Sequence, residues 1–430
     1  MKVSIKKIYA LYLEHKKIST DSRLIDKGCL FFALRGDNFD GNEYAKGAIE
    51  AGAAFAVIDN EKYITDRALL VDNVLDTLQQ MAKMHRRRFN IPVLAITGSN
   101  GKTTTKELIN AVLCRKYNAT ATKGNLNNHI GVPLTLLDIS DETQIAIVEM
   151  GANHQGEIAR LCSIAEPSHG LITNIGKAHL GGFGGYDGVV KAKSELYTWL
   201  RNSGGKAFVN AGNPLLMELT NGIDRILYGS EDFVFSKGNV KGITDMLCID
   251  WETRSGRKNI ETRLVGSYNF ENVMAAICTG MYFNIPDNEI HSAISNYTPS
   301  NSRSQAMKTD KNSIILDAYN ANPSSMKVAI ENFRQVKSEH KMVILGDMLE
   351  LGDYSKQEHT AILELVKSYP ATTLYTVGKN FLEIAENYHC HSFLNVELLC
   401  EFIQNSPITG GDVLIKGSRG IQLEKVLNCL

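Results

Sequence analysis

The chain has 430 residues, 43% hydrophobic and 22% charged, with 46 Lys and Arg against 47 Asp and Glu. At roughly 150 residues per domain this is a chain of two or three domains, each able to bury its own core, and its composition excludes a disordered, collagenous or fibrous molecule. A formal net charge of −1 offers neither nucleic acid nor an anionic membrane any global pull.

The N-terminal segment MKVSIKKIYALYLEHKK interrupts every apolar run with Lys or Glu, so it is not expected to act as a signal peptide. The longest uncharged apolar stretch, around Ala51 to Ile58, falls far short of the ~18 residues that span a bilayer. Cys29, Cys114, Cys162, Cys248, Cys278, Cys390, Cys400 and Cys429 are scattered without a CxxC pair. They read as reduced, mostly buried thiols of a cytoplasmic protein.

Short β-branched runs alternate with helical patterns, which predicts an α/β fold with helices on the faces of parallel sheets. Residues 1–88 form a first unit, in which DSRLIDKGCLFFAL and AKGAIEAGAAFAVID precede a helix from Val74 to Arg88 with Leu75, Leu78 and Met81 at helical spacing. The run His85-Arg86-Arg87-Arg88 reads as cations meeting the dipole at that helix's C-terminus, not as a nucleic-acid surface. Residues 89–300 form a second unit, opening with an apolar strand from Ile91 to Thr97 and continuing through strands Ile145 to Val148, Leu171 to Ile175 and Ala207 to Asn210. The polar stretch TPSNSRSQ reads as a linker to a third unit, residues 301–430. Its strands, Ser313 to Leu316, Met342 to Leu345, Thr373 to Val377 and Val413 to Lys416, predict a smaller, Rossmann-like open sheet.

Thr97-Gly98-Ser99-Asn100-Gly101-Lys102-Thr103-Thr104 lies between the first strand of the second unit and a helix carrying Leu108, Ile109, Val112 and Leu113. There glycines let backbone N–H groups close around phosphate oxygens while the helix N-terminus faces their charge. The pattern is a shortened variant: the general motif would put its first glycine at Ile96, whereas here it is Gly98. Lys102 is placed to reach the outer phosphates and the Thr103 hydroxyl to ligate Mg²⁺. Glu149, ending the strand Ile145 to Val148, and His179, beyond the strand Leu171 to Ile175, are expected at the carboxyl edge of the same sheet, where a metal and a reacting group sit. By spacing alone Lys193 is a solvated helix lysine, with Val190, Leu196, Trp199 and Leu200 packing inward.

TGSNGKTTT, VEMGA, NIGKAHL, AKSEL, GSYNFENVMAA and LDAYNANPSSM together resemble the ATP-dependent Mur ligases of bacterial cell-wall synthesis, over essentially the whole chain. GNLNNHIGVPLTLL and LGDMLELG resemble the branch that adds D-alanyl-D-alanine to a UDP-N-acetylmuramoyl-tripeptide, and TDSR and FALRGDNFDG resemble the family's UDP-sugar-binding domain. The resemblance implies three domains: an N-terminal UDP-sugar domain, a central P-loop ATPase-type parallel sheet and a C-terminal ligase domain. It implies ATP bound by Gly98, Asn100, Gly101, Lys102, Thr103, Thr104, the adenine-recognising Asn272, Arg303 at the γ-phosphate and Asp317 at the ribose. It implies Mg²⁺ held by Thr103, Glu149, His179 and a carbamylated Lys193, catalysis through Lys102, His179 and Lys193, and substrate contacts from Ser22, Arg23, Asn125, Asn128 and Asn320. Read without it, Asn269 and Asn272 suit a helix cap, Arg303 a surface linker and Asp317 a strand-end turn.

The implied reaction activates the tripeptide carboxylate as an acyl phosphate, which the dipeptide amine then attacks. It would serve cell-wall building, and hence cell shape and division, in a cytoplasmic monomer with no nucleic-acid or membrane partner. The alternatives are a related ligase adding a single amino acid and a P-loop nucleotide switch that needs no amine acceptor.

Overall fold

The structure, a computed structural model, describes all residues except 1, 244–245, 254–255, 300–302, 339 and 370–371. The centre of the expected linker, residues 300–302, therefore lies outside the described residues. The chain divides into two compact units, one of Met1–Leu94, Asn118–Met150 and Ala159–Pro167, the other of Ala95–Tyr117, Gly151–Ile158 and Ser168–Leu430. Among the described residues no helix is long and apolar enough to cross a membrane.

In the first unit, the strands Ile18–Ser19, Leu30–Phe32, Phe55–Ile58 and Ala68–Leu70 pair in that order, all parallel. Cys29, Phe31, Ala33, Ala48, Ala56 and Ile58 form a core beneath them. Helix Val74–Arg86 starts where Asn73 Oδ1 accepts from the Asp76 amide at 2.8 Å. Its buried stripe is Val74, Leu78, Met81 and His85, with Leu75 only half-buried. The basic run at its end is consumed by the fold: His85 bridges Tyr9 Oη at 2.9 Å and the Ile139 carbonyl at 2.7 Å, Arg86 donates to the Ala165 and Phe89 carbonyls, and Arg87 pairs with Glu166. Strands Ala119–Ala121 and Ile145–Glu149, also in this unit, run parallel.

The second unit holds two sheets. In the first, the strand Val93–Thr97, which enters this unit at Ala95, leads into helix Lys102–Leu113, whose Leu108, Ile109, Val112 and Leu113 are wholly buried. Strands His169–Ile172, Lys206–Asn210 and Asp224–Gly229 follow in parallel. The sheet then changes character: Ser236–Ile243, Leu247–Thr253 and Gly256–Glu261 form an antiparallel meander, so the sheet expected to be parallel is mixed. Leu247, Ile249 and Trp251 alternate inward on the middle strand, the period-two pattern of a half-buried strand. The second sheet runs Gln305–Lys308, Ser313–Asp317, Asp412–Lys416, Lys341–Gly346, Thr372–Val377, His391–Phe393; only its first pairing is antiparallel. Ile314, Leu316, Ile344, Val377, Leu399, Val413 and Ile415 share its core.

None of the eight cysteines is in a disulfide, but only Cys29, Cys162 and Cys278 are buried; Cys114 is exposed and the remainder half-buried. The expectation of mostly buried thiols is corrected accordingly.

Candidate active site

The glycine loop is held in shape by the residues that follow strand His169–Ile172. Gly98 has φ +139°, and a Cβ there would come within 2.0 Å of Thr173 Oγ1. Ser99 N donates to the Asn174 carbonyl at 2.9 Å, Asn100 N to Asn174 Oδ1 at 3.0 Å, and Thr173 Oγ1 to the Asn100 carbonyl at 2.6 Å. The strand expected to reach Ile175 ends at Ile172, and Thr173 and Asn174 just beyond it brace the loop. Helix Lys102–Leu113 begins at Gly101, φ +78°, with no side-chain cap, leaving a helix N-terminus whose amides suit an anion. Lys102 Nζ folds back onto the Gly98 and Ser99 carbonyls at 2.7 and 3.2 Å.

Lys193 overturns its spacing-based reading. It is 1% exposed, because the buried face of helix Tyr186–Ser203 is Val189, Ala192, Lys193, Leu196 and Leu200, one position offset from the stripe expected through Val190 and Trp199. Its Nζ donates to the Ala152 carbonyl at 3.4 Å and lies 5.3 Å from the centre of the Phe183 ring. Burial, with the like charge of Lys102 adding to it, pushes the ammonium down to about 7. His179 stands just before the short helix Leu180–Phe183 in a left-handed conformation, φ +52°. Its Nδ1 meets the Glu350 carboxylate.

Asn269 and Asn272 form a relay on helix Asn269–Tyr282. Asn269 Nδ2 donates to the Val265 carbonyl at 2.8 Å, Asn272 Nδ2 donates to Asn269 Oδ1 at 2.9 Å, and Asn272 Oδ1 accepts from Thr105 Oγ1 at 3.0 Å. Arg303 stacks on Tyr319, its guanidinium carbon 3.7 Å from the ring centre, while its Nε is buried with no hydrogen-bond partner among the described residues. Asp317 pairs with its register partner Lys416, Nζ to Oδ2 at 2.5 Å, and accepts from Ser304 N at 3.3 Å. Asn320 is exposed and its Oδ1 takes the Ala321 amide. Asn322 Nδ2 donates to Asn100 Oδ1 at 2.8 Å, and Lys177 Nζ reaches Glu358 at 2.6 Å, so residues beyond 301 touch the glycine loop directly.

Ser22, Arg23, Asn125, Asn128 and Glu149 belong to the first unit. Arg23 is exposed and doubly bonded to Asp21, whose carboxyl it holds down to about 2. Ser22 lies half-buried in the turn beside it. Asn125 is exposed, and Asn128 Oδ1 caps helix Gly131–Leu137 through the Ile130 and Gly131 amides. Asn127, not singled out from sequence, is the asparagine that reaches Glu149, donating to Oε1 at 2.7 Å; Glu149 itself is 1% exposed. Three asparagines in four positions gave no means of choosing between them. Glu350 was also missed, since nothing local links LGDMLELG to a histidine far back in the chain.

The second unit brings together a phosphate cradle, the Lys102 ammonium resting on it and the buried Lys193 amine. Residues 14–96 match the Mur ligase family catalytic domain, 96–280 the Mur ligase middle domain and 302–419 the Mur ligase glutamate ligase domain. A Bacillus subtilis UDP-N-acetylmuramoyl-tripeptide–D-alanyl-D-alanine ligase is 34% identical, the match covering 96% of this chain and 92% of that one. Its Escherichia coli counterpart is 32% identical over 96% and 93%. A crystal structure of MurF from Acinetobacter baumannii superposes with a TM-score of 0.85 at 30% identity, over 96% of this chain and 93% of that one. The MurF ligase of Thermotoga maritima in complex with ADP, at 24% identity, shares the fold with a TM-score of 0.84 over 97% of both chains. The chain thus belongs to the Mur ligase family, ATP-dependent ligases that form amide bonds.

Proposed function

We propose that the chain joins D-alanyl-D-alanine to a UDP-N-acetylmuramoyl-tripeptide at the expense of ATP. The observation that carries this reading is the end-to-end likeness to relatives of that name, 34% identical over 96% of the chain. In this reading residues 1–88 receive the UDP-sugar through Ser22 and Arg23, residues 89–300 bind and activate with ATP, and residues 301–430 close the nucleotide site with Arg303 and Asp317. Asn125, Asn128 and Asn320 contribute to the peptide substrate, Asn128 through the amide nitrogen its helix cap leaves over. The enzyme is taken to be a cytoplasmic monomer.

The donor types suit a hard cation: the Thr103 hydroxyl, the Glu149 carboxylate and a carbamate on Lys193 would offer oxygen ligands, and His179 a ring nitrogen. A Lys193 amine driven down to about 7 by burial is neutral often enough to add CO₂, and the resulting carbamate converts an unwelcome cation into an anion. Bound there, Mg²⁺ would spread the charge of the transferring phosphoryl group. Gly98, Asn100, Gly101 and Thr104 supply the loop that holds the phosphates, Asn272 the adenine end, and Lys102 follows the outer phosphates as charge moves. The tripeptide carboxylate attacks the γ-phosphate, giving an acyl phosphate and ADP; the dipeptide amine then attacks its carbonyl and expels phosphate. Contacts such as Asn322 to Asn100 help keep out water that would hydrolyse the acyl phosphate.

A phosphate-release assay with the UDP-linked tripeptide, ATP, Mg²⁺ and D-alanyl-D-alanine, omitting each in turn, tests the reading. Release is expected to need all four. Release with a single amino acid in place of the dipeptide moves the chain to another ligase of the family, and release without any acceptor makes it a nucleotide hydrolase.

A further inference from the structure

We propose that Glu350 is a positioning residue for His179, fixing its ring orientation and tautomer as the last sheet of the chain seats against the glycine-loop region. The proposal rests on His179 serving the catalytic centre as set out above. Glu350 grips that segment twice, its carboxylate meeting His179 Nδ1 and its carbonyl accepting from the Gly181 amide at 3.3 Å. Both side chains project from left-handed residues, His179 at φ +52° and Glu350 at φ +66°. Such a conformation is strained for a non-glycine residue, so the pair persists only because the surroundings enforce it. The approach is close: a Cβ on Gly181 would come within 3.1 Å of Gly352 N and 3.4 Å of the Glu350 carbonyl.

The segment leading into Glu350, residues 347–349, is held by hydrogen bonds. Met348 N donates to His359 Nε2 at 3.0 Å, Leu349 N to Ser418 Oγ at 3.0 Å, and Ser418 N to the Asp347 carbonyl at 3.2 Å. The Asp347 carboxylate takes the Asn380 and Phe381 amides at 2.8 and 2.9 Å. A carboxylate on so rigid a carrier can orient an imidazole. On the other side the His179 ring meets Phe183 edge to face, centres 6.3 Å apart, and Phe183 is the ring beneath Lys193 Nζ. A proton held on Nδ1, the nitrogen that faces the Glu350 carboxylate, would leave Nε2 as the lone-pair nitrogen, the form that ligates a cation or takes a proton. A neutral histidine ring without such an acceptor favours the opposite tautomer.

Two measurements on the full-length chain test this. Long-range proton–nitrogen spectra of ¹⁵N-histidine-labelled protein report the tautomer, with His179 assigned from its loss in His179→Gln. The wild type should carry its proton on Nδ1 and Glu350→Ala should move it to Nε2; an unchanged tautomer overturns the proposal whether or not the chain ligates. In ligation kinetics, Glu350→Ala should lower kcat about 10–100-fold, the usual effect of losing a ligand's supporting carboxylate, with the KM for ATP little changed. Glu350→Gln, which keeps an acceptor oxygen, should recover most of that loss. In a His179→Gln background Glu350→Ala should cost nothing further; additive losses overturn the proposal. Wild-type protein that shows no ligation would count against the proposed function alone.

Discussion

Asn272 Oδ1 occupies the space into which a side chain at Gly101 would grow: a Cβ there would lie 2.5 Å from it. Gly101 is also left-handed, φ +78°, which costs alanine roughly 1–2 kcal/mol. Gly101→Ala must therefore shift either the loop or the asparagine relay. Displacing the loop amides by an ångström costs on the order of 100-fold in turnover, and ATP-dependent phosphate release should fall by that much. Calorimetry should show ADP affinity lowered in Gly101→Ala along with turnover. Wild-type turnover by Gly101→Ala would refute the loop's role.

Lys102 Nζ rests on two loop carbonyls, within its side chain's swing of the anion the loop would hold. Lys102→Ala is expected to lose about 10²–10³-fold in nucleotide turnover through lost charge stabilisation. Its melting temperature should change little, because Lys102 is itself only half-buried and its ammonium rests on backbone carbonyls that the alanine variant leaves in place. Equal losses of activity and melting temperature would make Lys102 a structural residue.

Activity and stability should part company at Lys193. Its shift from 10.5 to about 7, attributable first to burial, is a cost of folding worth at most ~5 kcal/mol at ~1.36 kcal/mol per unit. Lys193→Met removes that cost while filling the space, so it should unfold at higher urea, by about 2 kcal/mol, and fail to ligate. Bicarbonate should not rescue Lys193→Ala, whereas a short carboxylic acid should restore part of its activity. An active Lys193→Met, measured by phosphate release, would take the residue out of the site.

What was legible in the sequence was local. The glycine loop could be read because its constraints fall within a few residues: positive φ at Gly98 and Gly101, then a helix whose Leu108, Ile109, Val112 and Leu113 face inward. Lys193 could not, because helical spacing says which residues share a face but not that a buried face will accept an amine. Asn127 and Glu350 were hidden for a related reason: their partners, Glu149 and His179, are brought to them by tertiary structure. The meander from Ser236 to Glu261 escaped because its first strand, SKGNVKGI, carries glycine and lysine where a strand signal needs β-branched residues. Its second strand did announce itself, in the alternation of Leu247, Ile249 and Trp251.

His169 sets a pH limit on the second unit. It is 9% exposed, its Nδ1 meeting Ser168 Oγ at 2.9 Å and its Nε2 meeting Tyr282 Oη at 3.3 Å, among the rings of Phe208, Tyr282 and Phe283. Burial first, and the charge of Lys206 second, push it down from 6.5 to about 4. Between those values the unfolded chain binds a proton there that the folded chain refuses. Its contribution to stability is therefore complete above about pH 6.5 and is lost as pH falls towards 4. At ~1.36 kcal/mol per unit the loss is about 3 kcal/mol. Urea unfolding between pH 7.5 and 4.5 should show a steeper fall for the wild type than for His169→Gln, the slopes differing by about one proton. Identical slopes would mean that His169 is protonated in the folded chain and that Lys206 and the surrounding rings do not exclude its charge.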